Sequence, residues 1–255
     1  MTYYTVQSAV RRNNRPNKPC EDFLVCGETA FVVADGVTQN HDEYVEGMTT
    51  SHAGEVARLT AETIAAALET AENPTAAARG AVQAAIAAAA EYNAAHPGPF
   101  PAAAVFVSGA IRAGTLHFAY LGDSLITLIR EGVRIRLSEQ QTSHLRVYGS
   151  TKGLNITKRE LYDTITNNAA HPLGYGIVDG EDRALAFLRA ARVALQSGDR
   201  VILSSDGIDK YLSFAPVEEL ASLPPEALLD RSKAYDKPPY NPYADDKAVI
   251  TIDVE

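Results

Sequence analysis

Four acidic turns are spread over nearly the whole chain, and each lies beside an apolar run that is typical of a β-strand. They are Glu21-Asp22, Asp35-Gly36, Asp206-Gly207 and Asp245-Asp246. Several carboxylates that converge at the ends of buried strands cannot stay unpaired, because burying an uncompensated charge is costly. Oxygen ligands of this kind are the ones that hard cations such as Mg²⁺ and Mn²⁺ prefer. The sequence therefore predicts a metal site assembled from distant parts of the chain.

Two of these turns share one pattern. The segments 32–36 (Val-Val-Ala-Asp-Gly) and 202–207 (Ile-Leu-Ser-Ser-Asp-Gly) each place an aspartate at the end of a buried strand. The glycine that follows is expected to let the backbone turn tightly. For any single pair, ordinary turn chemistry is an equally good explanation, since Asp and Gly are favoured in tight turns. The metal hypothesis depends on the four turns taken together.

The elements that position these turns are predicted from periodicity and turn residues. Strands at 3–10, 23–26 and 30–34 are expected to form a β-meander, and Ala-rich helices over 52–72 and 75–95 an antiparallel pair. Short connections predict a second antiparallel meander, with strands at 103–111, 115–121, 124–130 and 133–137. The remaining elements are a helix near 157–169, strands at 190–195 and 200–204, a short helix near 216–221 and a strand at 248–254. This order predicts an α+β protein with two antiparallel sheets flanked by helices.

The composition excludes several classes of protein. Of the 255 residues, 46% are hydrophobic and 22% charged, which suits one globular domain with a large core. The net charge of −9 argues against a nucleic-acid partner or an anionic membrane surface. No run is apolar enough to span a membrane and the N-terminus lacks an apolar signal region, so a cytoplasmic protein is expected. Cys20 and Cys26 form no Cys-x-x-Cys motif, which fits a reducing compartment.

Five short motifs follow one another in a fixed order, each next to a predicted strand. They are Cys20-Glu21-Asp22, 33–37 (Val-Ala-Asp-Gly-Val), 121–124 (Leu-Gly-Asp-Ser), 203–207 (Leu-Ser-Ser-Asp-Gly) and 245–250 (Asp-Asp-Lys-Ala-Val-Ile). In order and spacing they are similar to the motifs of the metal-dependent protein phosphatases of type 2C, the PPM family. Each motif is weak alone, and the ordered set is much stronger. The resemblance implies a single PPM-type domain over 1–255, with a central antiparallel β-sandwich flanked by helix pairs.

The resemblance also implies a binuclear Mg²⁺ or Mn²⁺ centre in a cleft at one end of the sandwich. Asp35 would bridge the two metals. Glu21 and the carbonyl of Gly36 would complete one metal site, and Asp206 and Asp245 the other. The pair of cations would activate a water molecule and neutralise the phosphoryl group, so that no protein nucleophile is needed.

Two further aspartates have implied roles around this centre. Asp22 would lie behind the ligands and hydrogen-bond metal-bound water. Asp123 would contribute to a third, weaker metal site, although a hairpin turn at Gly122-Asp123 explains the same residues.

The sequence departs from the family pattern where a substrate phosphate would be held. Relatives commonly carry an arginine four residues before the ligand glutamate, where this chain has Asn17. Arg15 and Lys18 lie nearby, and either could take over the phosphate. Arginine would hold it with a planar fork and lysine as a point charge. A solvated basic loop is the alternative for both residues.

Two other departures bear on the general acid and on the local charge. The histidine that often follows the Asp-Gly motif is missing, and His41 is either its replacement on the same loop or a surface residue. Asp246 stands where relatives usually have asparagine. The added carboxylate would tighten cation binding or weaken the attraction for a phosphate dianion.

The function implied is hydrolysis of phosphomonoesters, with phosphoserine and phosphothreonine proteins as partners in signalling and no oligomeric state indicated. Two alternatives stay open: a catalytically weak PPM-like module that binds and regulates a partner, and a phosphatase of small molecules. Region 140–185, where the family varies a flap beside the cleft, bears on this choice. Its cations would select acidic substrates or merely keep a loop soluble; they are Arg146, Lys152, Lys158 and Arg159.

Overall fold

The computed structural model describes residues 3–38, 44–145, 157–236 and 244–255. Within these residues, ten strands form two antiparallel sheets of five strands each. The strands are β1 (Tyr4–Arg11), β2 (Asp22–Cys26), β3 (Ala30–Gly36), β4 (Ala104–Arg112), β5 (Thr115–Leu121), β6 (Leu125–Arg130), β7 (Val133–Arg136), β8 (Arg189–Ala194), β9 (Arg200–Ser204) and β10 (Lys247–Val254). The order is β1-β10-β9-β6-β7 in the first sheet and β2-β3-β4-β5-β8 in the second.

The two sheets pack face to face around a common apolar core. The second sheet contributes Phe31, Val33 and Val107, and the first contributes Leu203 and Ile250, all fully buried. Alternating residues of β3 point the other way, towards the helices, as expected for a strand with period two. The predicted α+β class and the central antiparallel sandwich are confirmed.

Helices cover both outer faces of the sandwich. Helices α1 (His52–Thr70) and α2 (Pro74–Ala95) confirm the predicted pair, and α1 packs on β3 through small side chains such as Ala30 and Ala34. Alanine permits this close approach because it has little bulk. The first sheet is covered by three short helices, Asp209–Phe214, Val217–Ser222 and Pro225–Ser232. The second of these was predicted, and the other two were not.

Each predicted meander is wrong at one pairing, whereas β2 with β3, β4 with β5 and β6 with β7 pair as predicted. Strand β1 pairs with β10 and not with β2, and β5 and β6 are consecutive but belong to different sheets. The turn between β5 and β6, predicted as a hairpin, instead carries the chain across the sandwich at Gly122, whose φ is +94°. A short connection permits either a hairpin or such a crossing, and sequence signals do not distinguish them. The helix expected near 157–169 is only Lys158–Glu160, continued by a π-helical turn over Leu161–Ile165.

The topology brings the acidic turns to one end of the sandwich. Strands β3, β5 and β9 end there, and β2 and β10 begin there. A direct hydrogen bond from Ser205, after β9, to Asp22, at the start of β2, joins the two sheets at this end. Among the described residues, no helix has the length and apolarity needed to cross a membrane.

Candidate metal centre

Asp22 and Asp35 are directly opposite each other on neighbouring antiparallel strands. Asp35 continues the row of Phe31 and Val33, which face the core between the sheets, so both carboxylates point into the end of the sandwich. Side chains paired in this way have Cβ atoms about 5 Å apart. The register of β2 and β3 alone therefore places two carboxylates in contact range.

Three further aspartates come from other elements. Asp206 follows β9 in a 3₁₀ turn, Asp245 precedes β10, and Asp123 lies in the crossing turn after β5. Together with Asp22 and Asp35 they form what we call the aspartate cluster. Thr142 donates a 2.8 Å hydrogen bond to Asp123 and so ties this turn to the start of region 140–185.

Burial and mutual repulsion both disfavour charge in the aspartate cluster. Burial raises the pKa of Asp35 well above its ordinary value, and the charges of Asp22, Asp206, Asp245 and Asp123 raise it further. In the part of the chain that the structure describes, no lysine or arginine forms an ion pair with Asp35. The same residues contain no ready-made group of three or more Asp, Glu, His or Cys side chains around one point. Binding a cation would thus require the carboxylates to turn towards it, and their all-oxygen chemistry suits Mg²⁺ or Mn²⁺.

Ser205 supports Asp22 from the other sheet. Its hydroxyl donates to Asp22 Oδ2 at 2.5 Å and accepts a hydrogen bond from the backbone N–H of Ala248 at 2.9 Å. Burial and the charge of Asp246 raise the pKa of Asp22 well above its ordinary value, while the hydrogen bond from Ser205 lowers it. Sequence reasoning missed Ser205, although the serine directly before Asp206 is the available signal.

Gly36 and Gly207 are needed because neighbouring backbone comes close to them, and not because they adopt a special backbone angle. Neither Gly36 nor Gly207 has a positive φ, so their backbone angles do not require glycine, although Gly207 does lie in the 3₁₀ turn over Asp206–Ile208. A Cβ on Gly207 would lie 2.0 Å from the carbonyl oxygen of Asp246, and one on Gly36 would lie 2.8 Å from the carbonyl carbon of Ala53. Glycine is required because the neighbouring backbones leave no room.

Glu21, the other predicted metal ligand, has a different environment. Its Oε1 accepts hydrogen bonds from Ser51 at 2.5 Å and Tyr44 at 2.9 Å. Its Oε2 accepts one from Thr38 and is 3.0 Å from the ammonium of Lys18. Protein groups therefore already surround both oxygens. The three hydroxyl donors carry no sequence motif that points to this role, apart from the position of Ser51 as the N-cap of α1.

Lys18 lies inside the protein and not on a phosphate-binding surface. Only 8% of its side chain is exposed, and its ammonium contacts Asp246 Oδ2 at 2.9 Å and Asp245 Oδ1 at 3.9 Å in addition to Glu21. Burial lowers the pKa of Lys18, but the charges of Glu21 and Asp246 outweigh it and raise the pKa. Of the two candidates for the phosphate-binding cation, Arg15 and Lys18, the second therefore has its charge already engaged in the interior.

Asp246 organises the loop that follows β1. Its Oδ1 accepts 2.7 Å hydrogen bonds from the backbone and the side-chain amide of Asn13, and its Oδ2 accepts one from the backbone N–H of Glu21 at 3.2 Å. We call Lys18, Glu21 and Asp246 the lysine cluster. Asn17 lies exposed on this loop with φ of 60°, a conformation that asparagine tolerates. Arg15 is partly buried on the same loop, with its backbone N–H bonded to Asn13.

The remaining predicted residues divide between the flap region and the part outside the described residues. Lys158 donates to the carbonyl of Thr38 at 3.2 Å, next to the Asp-Gly loop. Arg159 instead pairs with Asp163 and lies over the ring of Phe100. The candidate general acid and two of the flap cations lie outside the described residues; they are His41, Arg146 and Lys152.

Solved structures share the fold over its whole length. The catalytic domain of the serine/threonine phosphatase PstP in complex with two manganese ions has a TM-score of 0.69 and 19% identity, covering 100% of this chain and 99% of that one. The serine/threonine phosphatase of S. agalactiae has a TM-score of 0.69 and 16% identity, covering 99% and 100%. Stp1 from Staphylococcus aureus has 0.68 and 15%, covering 100% and 96%. At these identities the likeness shows the fold.

The sequence itself gives the family. No curated protein sequence matches the chain. The family model described as "Protein phosphatase 2C" matches residues 11–234, which contain four of the five motifs and the two Asp-Gly pairs. The match ends before Asp245, so that residue is assigned to the site by its place before β10, beside the end of β9. The chain therefore belongs to the protein phosphatase 2C family of metal-dependent serine/threonine phosphatases.

Proposed function

We propose that the chain uses the aspartate cluster to hold two divalent cations and removes phosphate from phosphoserine and phosphothreonine side chains of proteins. The observation that carries this proposal is the environment of Asp35. Its carboxylate is surrounded by four others at the end of a type 2C sandwich, and in the described residues no basic side chain balances it. Five ionised carboxylates need several positive charges nearby, which two divalent cations supply.

The residues of the cluster have distinct proposed roles. Asp35 is acted on by the charges of aspartates from both sheets and would contact both cations, with Asp206, Asp245 and the Gly36 carbonyl as further ligands. Asp123 would serve a third ion. Two bound cations supply Lewis acidity and lower the pKa of a water molecule. Asp22, whose Oδ2 is held by Ser205, would orient that water through Oδ1 and accept its proton.

Substrate binding is assigned to cations at the rim of the site. Arg15 is the candidate for the substrate phosphate, because Lys18 is engaged in the interior. Lys158 reaches the Asp-Gly loop from the flap region and would attract acidic residues around the phosphorylated side chain.

The domain organisation, the class of substrate and the cellular compartment are proposed from the fold, the net charge and the two cysteines. A single catalytic domain is supported by the aspartate cluster, which draws on both sheets. The net charge of −9 supports a protein substrate over nucleic acid. Cys20 and Cys26 are both free, and burial and nearby carboxylates raise the pKa of Cys20, so it is an unreactive thiol. A cytoplasmic role in phosphoprotein signalling is consistent with these features.

The test is hydrolysis of p-nitrophenyl phosphate and of phosphoserine and phosphothreonine peptides with added Mn²⁺. We expect Asp35→Asn and Asp206→Asn each to lower kcat/KM by at least about 100-fold, since each removes charge aimed at the transition state. Asp163→Asn, which changes an exposed aspartate paired with Arg159, is the matched control and should keep wild-type activity. Wild-type protein without turnover at any Mn²⁺ concentration would point to a binding module, and activity confined to metabolites would point to a small-molecule phosphatase.

A further inference from the structure

Glu21 is satisfied by protein groups alone. A carboxylate has about four lone-pair sites. Here three hydroxyls and one ammonium approach them, and Glu21 is 1% exposed. Its backbone is packed between Gly36 of β3 and Gly54 in the first turn of α1. The 19-residue α1 also directs its positive N-terminal end towards this carboxylate. A metal ion at Glu21 would have to displace donors that are already in place.

The ammonium group of Lys18 is likewise occupied by contacts within the protein. An ammonium has three donors. Two of them meet Glu21 and Asp246 at 3.0 and 2.9 Å, and Asp245 lies at 3.9 Å. A buried lysine with two carboxylate contacts is held firmly, because releasing it would leave two buried charges without a partner. The ammonium thus supplies positive charge on the Glu21 side of the centre.

The charged side chains form two neighbouring groups that still act on each other, since Lys18 is 3.9 Å from Asp245 and Asp246 raises the pKa of Asp22. The strongest influences on Asp35, after burial, are the other four members of the aspartate cluster. The lysine cluster holds two carboxylates and one ammonium, with Asp246 also bonded to Asn13. Lys18 therefore offsets part of the charge of Asp246, although that charge still raises the pKa of Asp22.

We propose that Lys18 is the resident cation of Glu21 and competes with metal for it, so that Glu21 is a positioning residue and the metal ions bind to the aspartate cluster alone. Glu21 then holds Thr38, Tyr44 and Ser51 against the site. This inference depends on the proposed function only in taking the aspartate cluster as the Mn²⁺ site.

The test is Mn²⁺ binding to the full chain, measured by isothermal titration calorimetry without substrate. Glu21→Gln should keep the Mn²⁺ affinity within about threefold of wild type, whereas Asp35→Asn should lower it by at least about 100-fold, each tenfold step being about 1.4 kcal/mol. Lys18→Met should raise the Mn²⁺ affinity by about tenfold, because it frees Glu21 to bind metal. The gain should be lost when Glu21→Gln is added to Lys18→Met, which separates competition for Glu21 from the loss of a positive charge near the cations.

The double variant Lys18→Met with Asp246→Asn is the control in case Lys18→Met alone does not fold. It removes both charges of the pair, leaves no buried carboxylate at 246, and should also raise the Mn²⁺ affinity. The inference is overturned if Glu21→Gln weakens Mn²⁺ binding as much as Asp35→Asn does. It is also overturned if both lysine variants keep wild-type Mn²⁺ affinity while the KM for a phosphopeptide rises, which would make Lys18 a phosphate-binding residue. Failure of the proposed function is a separate result, namely wild-type protein that binds Mn²⁺ and does not hydrolyse phosphopeptides.

Discussion

Replacing Asp35 by asparagine should stabilise the metal-free protein while it abolishes activity. Asp35 carries a charge that its surroundings oppose: it is opposite Asp22, and Asp206, Asp245 and Asp123 also raise its pKa. Asparagine has nearly the same shape and no charge. The substitution therefore removes repulsion in the absence of metal, and it removes the proposed central ligand when metal is present.

The magnitude follows from the pairing with Asp22. Two unit charges about 5 Å apart repel each other by about 3 kcal/mol at an effective dielectric constant of about 20. Partial protonation of the cluster relieves some of this repulsion, so the free energy of unfolding should rise by about 1–3 kcal/mol. For a domain of this size that corresponds to an increase in Tm of about 2–10 °C. Wild type at 100-fold excess of Mn²⁺ over Kd gains about 2.7 kcal/mol, which the variant should lose.

The assay is thermal unfolding of both proteins in EDTA and in saturating Mn²⁺. We expect Asp35→Asn to unfold at a higher temperature than wild type in EDTA and to gain little from Mn²⁺. Asp163→Asn controls for a loss of charge on the surface and should change stability by less than about 1 kcal/mol. A variant that is less stable than wild type in EDTA would refute the reasoning, because Asp35 would then be stabilised by the protein and not repelled.

Four further predictions concern pH, packing, a hydrogen bond and substrate binding. In EDTA, the free energy of unfolding of the wild type should rise as the pH falls from the raised pKa values of Asp22 and Asp35 towards about 4. Carboxyl groups whose pKa is raised in the folded state take up protons on folding, so a lower pH favours that state. Denaturant titrations at several pH values measure this change. Gly207→Ala should cost more than about 2 kcal/mol of unfolding free energy because its Cβ would strike backbone, whereas Gly80→Ala, at an exposed and open site in α2, should add about 0.5–1 kcal/mol. Ser205→Ala should cost about 1–3 kcal/mol and lower kcat, because Asp22 loses the donor to Oδ2; unchanged kcat would contradict the role of Asp22. Lys158→Ala should raise the KM for an acidic phosphopeptide and leave that for p-nitrophenyl phosphate unchanged, and an equal rise for both would count against selection of acidic sequences.

Local sequence signals predicted the elements well where a single segment decides the outcome. The Ala-rich segments became α1 and α2, with Ser51 and Asn73 as caps, and the C-terminal apolar run became β10. Pairing was predicted correctly for β2 with β3, β4 with β5 and β6 with β7, and wrongly for β1 with β2 and β5 with β6. The turn at Gly122 has the composition of a hairpin, yet it joins strands of different sheets because the sandwich, and not the turn, determines where β6 pairs.

The sequence predicted which aspartates belong to the candidate site, but it did not predict the side chains that contact them. The Asp-Gly motifs located Asp35 and Asp206, but they gave no sign of the contact with Asp246 that requires Gly207. Lys18 looked like a basic loop residue until its contact with Asp246, 228 positions away, placed it in the interior. Ser205 likewise meets Asp22 across 183 positions.

The sequence by itself determined the chemistry that is possible: oxygen ligands at strand ends, hard cations, and helices and strands set by propensity and periodicity within short segments. Only the tertiary structure decided which carboxylates repel one another in the aspartate cluster and which are balanced by Lys18. The physical reason is that charge balance depends on distances of a few ångströms between residues far apart in the chain. Those distances are fixed by the pairing of β2 with β3 and by the junction of the two sheets.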